Sequence, residues 1–410
     1  MKIVQINAVY GISSTGRTML QLHEYLKSHG HKSWVFYSIP TDDSAEEELI
    51  GGKTDHKIHA FLSRFFGLQA YFSSYPTFRL INKLKRIVPD VVILRNFHSN
   101  YINLPMLAHF LAKNDIPTVL VLHDCWFYTG HCCHYTEVGC MKWRTECSQC
   151  PLTHSENKSY FFDTSRKVFR DKRRLFGSIP RLAIVGVSEW ITGEARLSPI
   201  FEKASIIRRI YNWIDLKTFQ PQNNTKEIRH KYGLSETDFV AVGVSMRWSY
   251  MKGEVTFVEL AKRMPEIKVL MVGQMSNQML PSNILNIPPT SSVKVLSELY
   301  SIADVFLNFS IQESFGKVAA EALACGTPLI VNDATANSEI PGDCGYVINN
   351  TDIDSIVKVI TKIKKVGKEI YRQRCVERAR SLFDMDSIIK EYIELFYELE
   401  NIGITNRIHQ

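Results

Sequence analysis

The chain has 410 residues, of which 45% are hydrophobic and 22% are charged, and its formal net charge is +7. This composition is typical of a globular protein with about two or three domains, and no apolar run approaches the roughly 20 residues of a membrane-spanning helix. The modest, dispersed charge argues against a nucleic-acid-binding protein and favours an anionic substrate or membrane surface.

The N-terminal segment, residues 1–10, reads as a buried strand that runs into Gly11. Its apolar stretch is short for a signal peptide, so we expect a cytoplasmic protein, with peripheral association at the inner membrane face as an option. In that compartment the nine cysteines are expected to be thiols or metal ligands rather than disulfides.

Short apolar runs alternate with amphipathic segments along the chain. In the first half they predict strands at residues 3–10, 32–37, 91–94, 118–122 and 183–187. A linker at 211–221 follows, and the pattern restarts at residues 239–244, 269–272, 305–309 and 328–331. The alternation predicts an α/β fold with two Rossmann-like, doubly wound domains facing each other across a cleft, which is the expected ligand site.

The predicted domains are residues 1–210, with a Cys-rich insertion at about 125–152, and residues 211–384. Residues 385–410 are predicted to form a helix that packs back on the first domain.

Two carboxylates, Glu313 and Glu321, are separated by seven residues. Gly316 permits a tight entry into a helix, and Gly326 followed by Pro328 ends it, so Glu313 lies in the preceding loop and Glu321 in the second turn. The helix N-terminus between them would attract an anion. The spacing suits an elongated ligand such as a nucleotide-sugar; the alternative is an amphipathic helix with one exposed acid.

Arg247 and Lys252 follow the predicted strand 239–244. Two fixed cations at a strand's carboxyl end can neutralise a diphosphate leaving group without a metal. Taken alone, the pair also fits a solvated basic loop.

Two features of the first half follow strands in the same way. The loop framed by Gly11 and Gly16 could approach a phosphate through its backbone N–H groups, or it could be a structural turn. His123 ends the strand 118–122 and could meet a substrate hydroxyl or sugar, or it could be a buried structural histidine.

Five cysteines lie within residues 132–150, beside His131 and His134. The final Cys147-Ser148-Gln149-Cys150 is a zinc-type knuckle, and the preferred ligand set for a structural zinc is Cys133, Cys140, Cys147 and Cys150. Unliganded thiols or a disulfide pair are the alternatives.

Two basic segments, residues 61–88 and 165–181, are interleaved with aromatic and aliphatic residues. Either could lie on a membrane surface, and a solvated helix face is the alternative for each.

The second half resembles the retaining family 4 glycosyltransferases of the GT-B fold, through the Glu-x7-Glu segment, Arg247 with Lys252, and the linker Asn212-Trp213-Ile214-Asp215. The first half resembles a bacterial polysaccharide subgroup that includes colanic-acid, O-antigen and capsule enzymes. The residues that carry this second likeness are Ser14-Thr15-Gly16-Arg17, Asn100-Tyr101-Ile102-Asn103, His123-Asp124 with Trp126, and Cys133-His134-Tyr135 followed by Cys140, Cys147, Cys150 and Pro151.

The resemblance implies roles for named residues. Glu321 would bind the ribose, while Glu313 and the backbone of Ser314, Phe315, Gly316 and Lys317 would hold sugar hydroxyls and phosphate. Arg247 and Lys252 would grip the diphosphate. His123 would contact the donor sugar, and Gly16 would face the phosphates. The nucleotide base is expected near Gly273 and residues 288–295.

The implied activity is metal-independent transfer of a hexose-type sugar, with retained configuration, from a UDP- or GDP-linked donor to a growing oligosaccharide acceptor that is lipid-linked. The first domain would be the acceptor side and the second would bind the nucleotide-sugar. A nucleotide-sugar epimerase or hydrolase on the same scaffold, or a non-catalytic sugar-binding module, are the alternatives.

Overall fold

The computed structural model describes residues 1–41, 48–276 and 279–408, with the backbone alone at 403–408. The described chain divides into two compact units: Met1–Ile210 joined by the terminal helix from Ile389 onward, and Tyr211–Ile388. The division between residues 210 and 211 falls where the sequence places it. Residues 409–410, the end of the predicted terminal segment, lie outside the described residues.

The first unit contains a six-stranded sheet in which every neighbouring pair is parallel. Its strands are β1 (Lys2–Ile6), β2 (Lys32–Phe36), β3 (Val91–Leu94), β4 (Thr118–Leu122), β5 (Leu182–Gly186) and β6 (Ile206–Arg209). Their order across the sheet is β2-β1-β3-β4-β5-β6. The helices are α1 (Ser13–Ser28), α2 (Lys53–Phe66), α3 (Ser74–Ile87), α4 (Leu104–Lys113), α5 (Ser165–Gly177) and α6 (Glu189–Leu197).

The second unit contains another six-stranded parallel sheet. Its strands are β7 (Val240–Arg247), β8 (Lys268–Gln274), β9 (Ile284–Ile287), β10 (Val305–Asn308), β11 (Leu329–Asn332) and β12 (Gly345–Ile348), in the order β12-β11-β10-β7-β8-β9. The helices are α7 (Thr225–Lys231), α8 (Glu254–Arg263), α9 (Val293–Ile302), α10 (Lys317–Ala324), α11 (Ile353–Val366) and α12 (Glu369–Phe383). Helix α13 (Met385–Ile408) begins in the second unit, and its residues from Ile389 onward belong to the first unit.

The central strands of both sheets are buried, as parallel strands covered by helices on both faces must be. All nine strands predicted from the sequence are present, although β1 ends at Ile6 rather than at residue 10. The prediction of an α/β fold with two doubly wound parallel sheets is therefore confirmed.

Among the described residues, no helix combines the length and the apolar character that a bilayer crossing requires.

Strand β7 and strand β10 are neighbours in the second sheet, and the chain builds outward from them in opposite directions. Such a reversal leaves a crevice outside the carboxyl ends of the two strands, where ligands of doubly wound sheets bind. In this unit the crevice is bounded by the loop that follows Arg247 and the loop that follows Asn308.

Candidate functional site

The two predicted cations lie at the carboxyl end of β7. Arg247 is the last residue of the strand, and Lys252 closes a short 3-10 turn, Tyr250–Lys252. Gly253 then adopts a left-handed conformation, with φ at +75°, before α8 begins. A Cβ on Gly253 would stand only 2.4 Å from Cβ of Phe309, so a larger residue would separate this turn from the loop after β10.

Lys252 is held by the loop after β10. Its Nζ donates to Glu313 Oε1 at 2.7 Å and to Ser310 Oγ at 3.3 Å. Both members of the ion pair keep partial exposure, with 37% of the Lys252 side chain and 20% of the Glu313 side chain accessible. A cation and an acid that the sequence separates by sixty residues therefore meet at the crevice.

The backbone of Glu313 is fixed on both sides. Its N–H donates to Thr335 Oγ1 at 2.9 Å, and its carbonyl accepts from the N–H of Ala336 at 3.2 Å. The carboxylate is thereby presented from an anchored loop rather than from a mobile one.

Helix α10 begins and ends where the sequence predicts. Gly316 caps its N-terminus with φ at +88°, and Gly326 follows its C-terminus with φ at +76°. The N–H of Thr327 donates to the carbonyl of Ala322 at 3.2 Å, which is one of the two hydrogen bonds of a Schellman motif. The first turn of α10, which starts at Lys317, therefore directs its backbone N–H groups and positive dipole end toward the loop of Glu313.

Glu321 lies in the second turn of α10 and is 1% exposed. Its Oε2 accepts a hydrogen bond from the hydroxyl of Tyr300 at 3.2 Å, which supplies the polar contact that an acid among apolar neighbours needs. Phe315, by contrast, is 2% exposed and packs against Tyr211 and Phe383. The side chain of Phe315 is therefore part of the apolar packing of the second unit.

Arg247 and Gly273 lie near the carboxyl ends of the neighbouring strands β7 and β8. The guanidinium Nη2 of Arg247 lies 3.3 Å from Gln274 Oε1. Gly273, with φ at +134°, has a packing role, since a Cβ there would stand 1.9 Å from the carbonyl oxygen of Ser245. The predicted contact between Gly273 and a nucleotide base stays a prediction.

Gly16 and His123 belong to the first unit, whereas the cations and acids above belong to the second. Gly16 lies in the first turn of α1, and its carbonyl accepts from the N–H of Gly11 at 3.0 Å. His123 follows the last residue of β4 and is half-buried. Their predicted contacts with phosphate and sugar stay predictions.

The cysteine cavity is a small enclosure in the Cys-rich segment, of about 20 Å³, which is enough for one water-sized occupant. Its cysteines are Cys132, Cys140, Cys147 and Cys150. The Gly130 N–H donates to the Cys147 Sγ at 3.2 Å. Burial raises the pKa of the Cys147 thiol to about 12. All nine cysteines are unbridged.

Cys133 departs from the predicted zinc set. It does not line the cysteine cavity, and Cys132 stands there instead. The Sγ of Cys133 lies with His98 and Asp124. Two hydrogen bonds hold Cys133 on this side: its carbonyl accepts from the N–H of Cys125 at 2.7 Å, and its N–H donates to Glu156 at 2.6 Å.

The basic segment 165–181 forms α5 and is a solvated helix face. Arg170 pairs with Glu146 at 2.5 Å, and Arg173 pairs with Glu202 at 2.7 Å. The opposite face buries Val168 and Phe169. The ion pairs favour the structural interpretation of this segment over a membrane-binding one.

Several residues of the site were not foreseen from the sequence. They are partners of the predicted residues: Gln274, Tyr300, Ser310 and Thr335. His98 was also missed. The available signal is that His98 lies in the loop after β3, four residues past Leu94, while His123 lies directly after β4.

Two family models match consecutive parts of the chain. Residues 15–218 match the model described as Glycosyltransferase Family 4, and residues 224–382 match the model described as Glycosyl transferases group 1. Together they cover both units, including the crevice residues from Arg247 to Glu321.

Two relatives are similar over most of their length. WcaC of Escherichia coli (strain K12), which is named as a colanic acid biosynthesis glycosyl transferase, is 21% identical over 97% of this chain and 100% of its own. The alpha-monoglucosyldiacylglycerol synthase of Acholeplasma laidlawii is 23% identical over 92% of this chain and 95% of its own.

A solved structure with the same fold is HepE of Anabaena in complex with UDP. It has a TM-score of 0.62 at 14% identity and covers 97% of this chain and 100% of its own. With matches in both units to models of one kind of enzyme, the chain belongs to the GT-B glycosyltransferases of the group 1 and family 4 type.

Proposed function

We propose that the protein transfers a hexose-type sugar from a UDP- or GDP-linked donor to a growing, lipid-linked surface polysaccharide intermediate, with retained anomeric configuration. The observation that carries this proposal is the Lys252–Glu313 pair at the crevice of the second unit, 2.7 Å apart. A cation and an acid so placed fit the two halves of a nucleotide-sugar, the diphosphate and the sugar hydroxyls.

The second unit supplies the groups that a diphosphate requires. Arg247 and Lys252 provide two positive charges at the end of β7, and the first turn of α10 adds oriented N–H groups. Glu321, buried one turn further along α10, is proposed to hold the ribose hydroxyls. The structures of HepE with UDP and with UDP-glucose support a nucleotide-linked donor in this fold.

In the proposed reaction the bond between the anomeric carbon and the phosphate oxygen breaks. A bond from that carbon to the acceptor oxygen forms on the same face, and the departing phosphate oxygen takes the acceptor's proton. Lys252 and Arg247 stabilise the charge that develops on the diphosphate, so this route needs no catalytic metal. His123 and Gly16 of the first unit are proposed to contact the donor sugar and the phosphates.

The exposed aromatic patch on the first unit supports an acceptor at a membrane. Phe61 and Phe65 on α2 lie beside Phe161 and Phe162, with 5.0 Å between the ring centroids of Phe65 and Phe161. Phe61 is 64% exposed and Phe161 is 65% exposed.

Two exposed basic residues, Arg64 and Lys158, lie close in sequence to the aromatic patch. The Arg64 carbonyl accepts from the N–H of Tyr160 at 2.7 Å, which joins the two segments that carry the patch. Exposed aromatic rings with basic residues nearby fit the interface of an anionic bilayer. The name of one relative, in colanic acid biosynthesis, supports a polysaccharide product, and the name of the other, a monoglucosyldiacylglycerol synthase, supports an acceptor that carries a lipid.

The transfer reaction is tested with purified protein, labelled UDP- and GDP-hexoses, and lipid-linked oligosaccharide acceptors. We expect label in the acceptor without added divalent cations, and an anomeric coupling in the NMR spectrum that matches the donor. With donor alone, only slow hydrolysis is expected. An inverted product would overturn the retaining mechanism, and fast conversion of the donor without acceptor would favour an epimerase or hydrolase.

The membrane contact is tested by co-sedimentation with vesicles rich in anionic lipid at low salt. Replacing both Phe61 and Phe161 with Ser should weaken vesicle binding by roughly a hundredfold or more, since burying each of the two rings contributes about 1.5–3 kcal/mol. The matched control is Ile370→Ser, an exposed apolar residue of the second unit. Absence of wild-type binding at low salt would rule the proposal out.

We also propose a structural zinc in the cysteine cavity, with Cys132 in place of the expected Cys133. Four thiolates can form a closed tetrahedral zinc site. Among the described residues no three of these sulfur atoms all lie within 4.8 Å of one another, so zinc would have to draw the cysteines together. Cys150→Ser should lower the zinc content by one equivalent, whereas the buried Cys375→Ser in α12 should not. Equal zinc content in wild type and Cys150→Ser would exclude this site.

A further inference from the structure

A second cluster of metal-ligating side chains lies in the first unit, outside the cysteine cavity. Among the described residues, His98, Asp124 and Cys133 form the only group of three such side chains whose donor atoms all lie within 4.8 Å of one another. We name it the His–Asp–Cys cluster. The sequence pattern predicts Cys133 as a ligand of the structural zinc and predicts no ligand role for His98 or Asp124.

The fold brings these three residues together. Strands β3 and β4 are parallel neighbours, so their carboxyl ends meet at one edge of the sheet. His98 follows the end of β3, Asp124 follows the end of β4, and Cys133 returns to this edge from the Cys-rich segment. The backbone bond from the N–H of Cys125 to the carbonyl of Cys133, 2.7 Å long, fixes that return.

The donor atoms are already oriented. His98 Nε2 lies 2.8 Å from Asp124 Oδ2, and the other carboxylate oxygen of Asp124 accepts from the N–H of Trp126 at 2.8 Å. The N–H of Cys133 is held by the carboxylate of Glu156 at 2.6 Å. Contacts of this kind, which anchor ligands from behind, are typical of metal sites.

From this geometry we infer that the His–Asp–Cys cluster binds one divalent transition-metal ion of the zinc class. Nitrogen, oxygen and thiolate sulfur together suit zinc or cobalt and disfavour magnesium and calcium, which take oxygen ligands. Metal–ligand bonds of about 2.0–2.3 Å at tetrahedral angles place donor atoms roughly 3.3–3.6 Å apart. The 2.8 Å contact and the 4.8 Å limit bracket that range, so small side-chain shifts complete the site.

His134 follows Cys133 in the chain, and its buried Nδ1 makes no hydrogen bond within the described part of the chain. Its ring nitrogens do not lie within 4.8 Å of all three donor atoms, so the cluster supplies three ligands. A metal bound to these three would fasten the Cys-rich segment to the sheet edge that carries His123.

The binding of metal is measurable without any sugar-transfer assay, so the proposal stands apart from the proposed function. Chelator-stripped protein is titrated with Co²⁺, and bound metal and thiolate-to-cobalt absorption are recorded for wild type, Cys133→Ser and Asp124→Asn. Cys150→Ser serves as the matched control in the cysteine cavity. Circular dichroism and thermal unfolding verify that each variant is folded.

We expect Cys133→Ser and Asp124→Asn each to lose the equivalent of Co²⁺ that is bound at the His–Asp–Cys cluster. Cys150→Ser should keep that equivalent and lose only the one proposed for the cysteine cavity. In Cys133→Ser the absorption from a single thiolate should also be lost. The inference is overturned if wild type binds no Co²⁺, or if Cys133→Ser and Asp124→Asn bind as much as wild type with the same affinity. Loss confined to Cys150→Ser would likewise overturn it and leave the cysteine cavity as the metal site.

Discussion

The ammonium of Lys252 lies 2.7 Å from the carboxylate of Glu313, and the two residues come from loops that follow adjacent parallel strands. In the ligand-free protein each group neutralises the other. Under the proposed function, a donor phosphate that binds Lys252 would share this cation with Glu313, which already holds the ammonium in place.

Replacing Lys252 with Ala should lower turnover by roughly tenfold to a thousandfold, because a fixed charge that stabilises the leaving diphosphate is lost. Steady-state kinetics with the labelled donor measures the effect. Lys231→Ala is the matched control, since Lys231 is also ion-paired, with Glu298 at 2.8 Å, but lies on α7. A Lys252→Ala enzyme with full turnover would remove Lys252 from the mechanism.

Replacing Glu321 with Gln should raise the Michaelis constant for the donor by roughly tenfold to a hundredfold, because hydrogen bonds to a charged group contribute about 1.5–3 kcal/mol. The amide keeps the size of the side chain, so the fold should survive in this buried position. Tyr300→Phe removes the hydroxyl that donates to Glu321 and should have a smaller effect. Unchanged donor affinity in Glu321→Gln would contradict ribose binding.

Gly316→Ala should destabilise the protein by about 1–2 kcal/mol, because φ at +88° disfavours a residue with a Cβ. It should also weaken donor binding, since relief of that strain would shift the first turn of α10. Gly233→Ala is a control with similar backbone strain, φ at +70°, and with no atom within 4 Å of the added Cβ. Equal donor affinities in the two variants would show that the entry to α10 does not position the donor.

Stability should fall as the pH decreases from 6.5 to 4, in part through His59. Burial lowers the pKa of His59 from 6.5 to about 4, and the neighbouring His56 adds to the effect. The unfolded chain therefore binds more protons than the folded one in this window. At pH 5 the loss from His59 amounts to about 2 kcal/mol.

The measurement for His59 is urea unfolding of wild type and His59→Gln at several values of pH. The variant should show a flatter dependence between pH 6.5 and pH 4, whatever its stability at neutral pH. His23, whose pKa burial also lowers to about 4, should supply part of the remaining slope. An unchanged slope in His59→Gln would mean that folding does not lower the pKa of His59.

The sequence predicts the central strands and the edge strand β2, and it misses the other three edge strands. Strands β6, β9 and β12 are edge strands, and their residues are mostly half-buried or exposed. Strands covered on both faces read as continuous apolar runs, whereas an edge strand has no such requirement. Their pairing depends on a neighbour that is distant in sequence.

The candidate site also divides into features that follow from local sequence and features that depend on distant residues. The ends of α10 follow from local glycine chemistry, so the positions of Glu313 and Glu321 could be predicted. The choice between Cys132 and Cys133 could not, because it depends on a bond to Cys125 and on the remote Glu156. The sequence of two adjacent cysteines does not indicate which of them lines the cysteine cavity.

The close approach of Gly253 to Phe309 has a consequence for engineering. The carbonyl of Met251 accepts from the N–H of Ile311 at 3.0 Å, so the turn bearing Lys252 and the loop bearing Glu313 are clamped backbone to backbone. Neither can be lengthened or exchanged alone without breaking that clamp. A chimera that imports one of these loops from another enzyme should therefore fail unless it imports its companion as well.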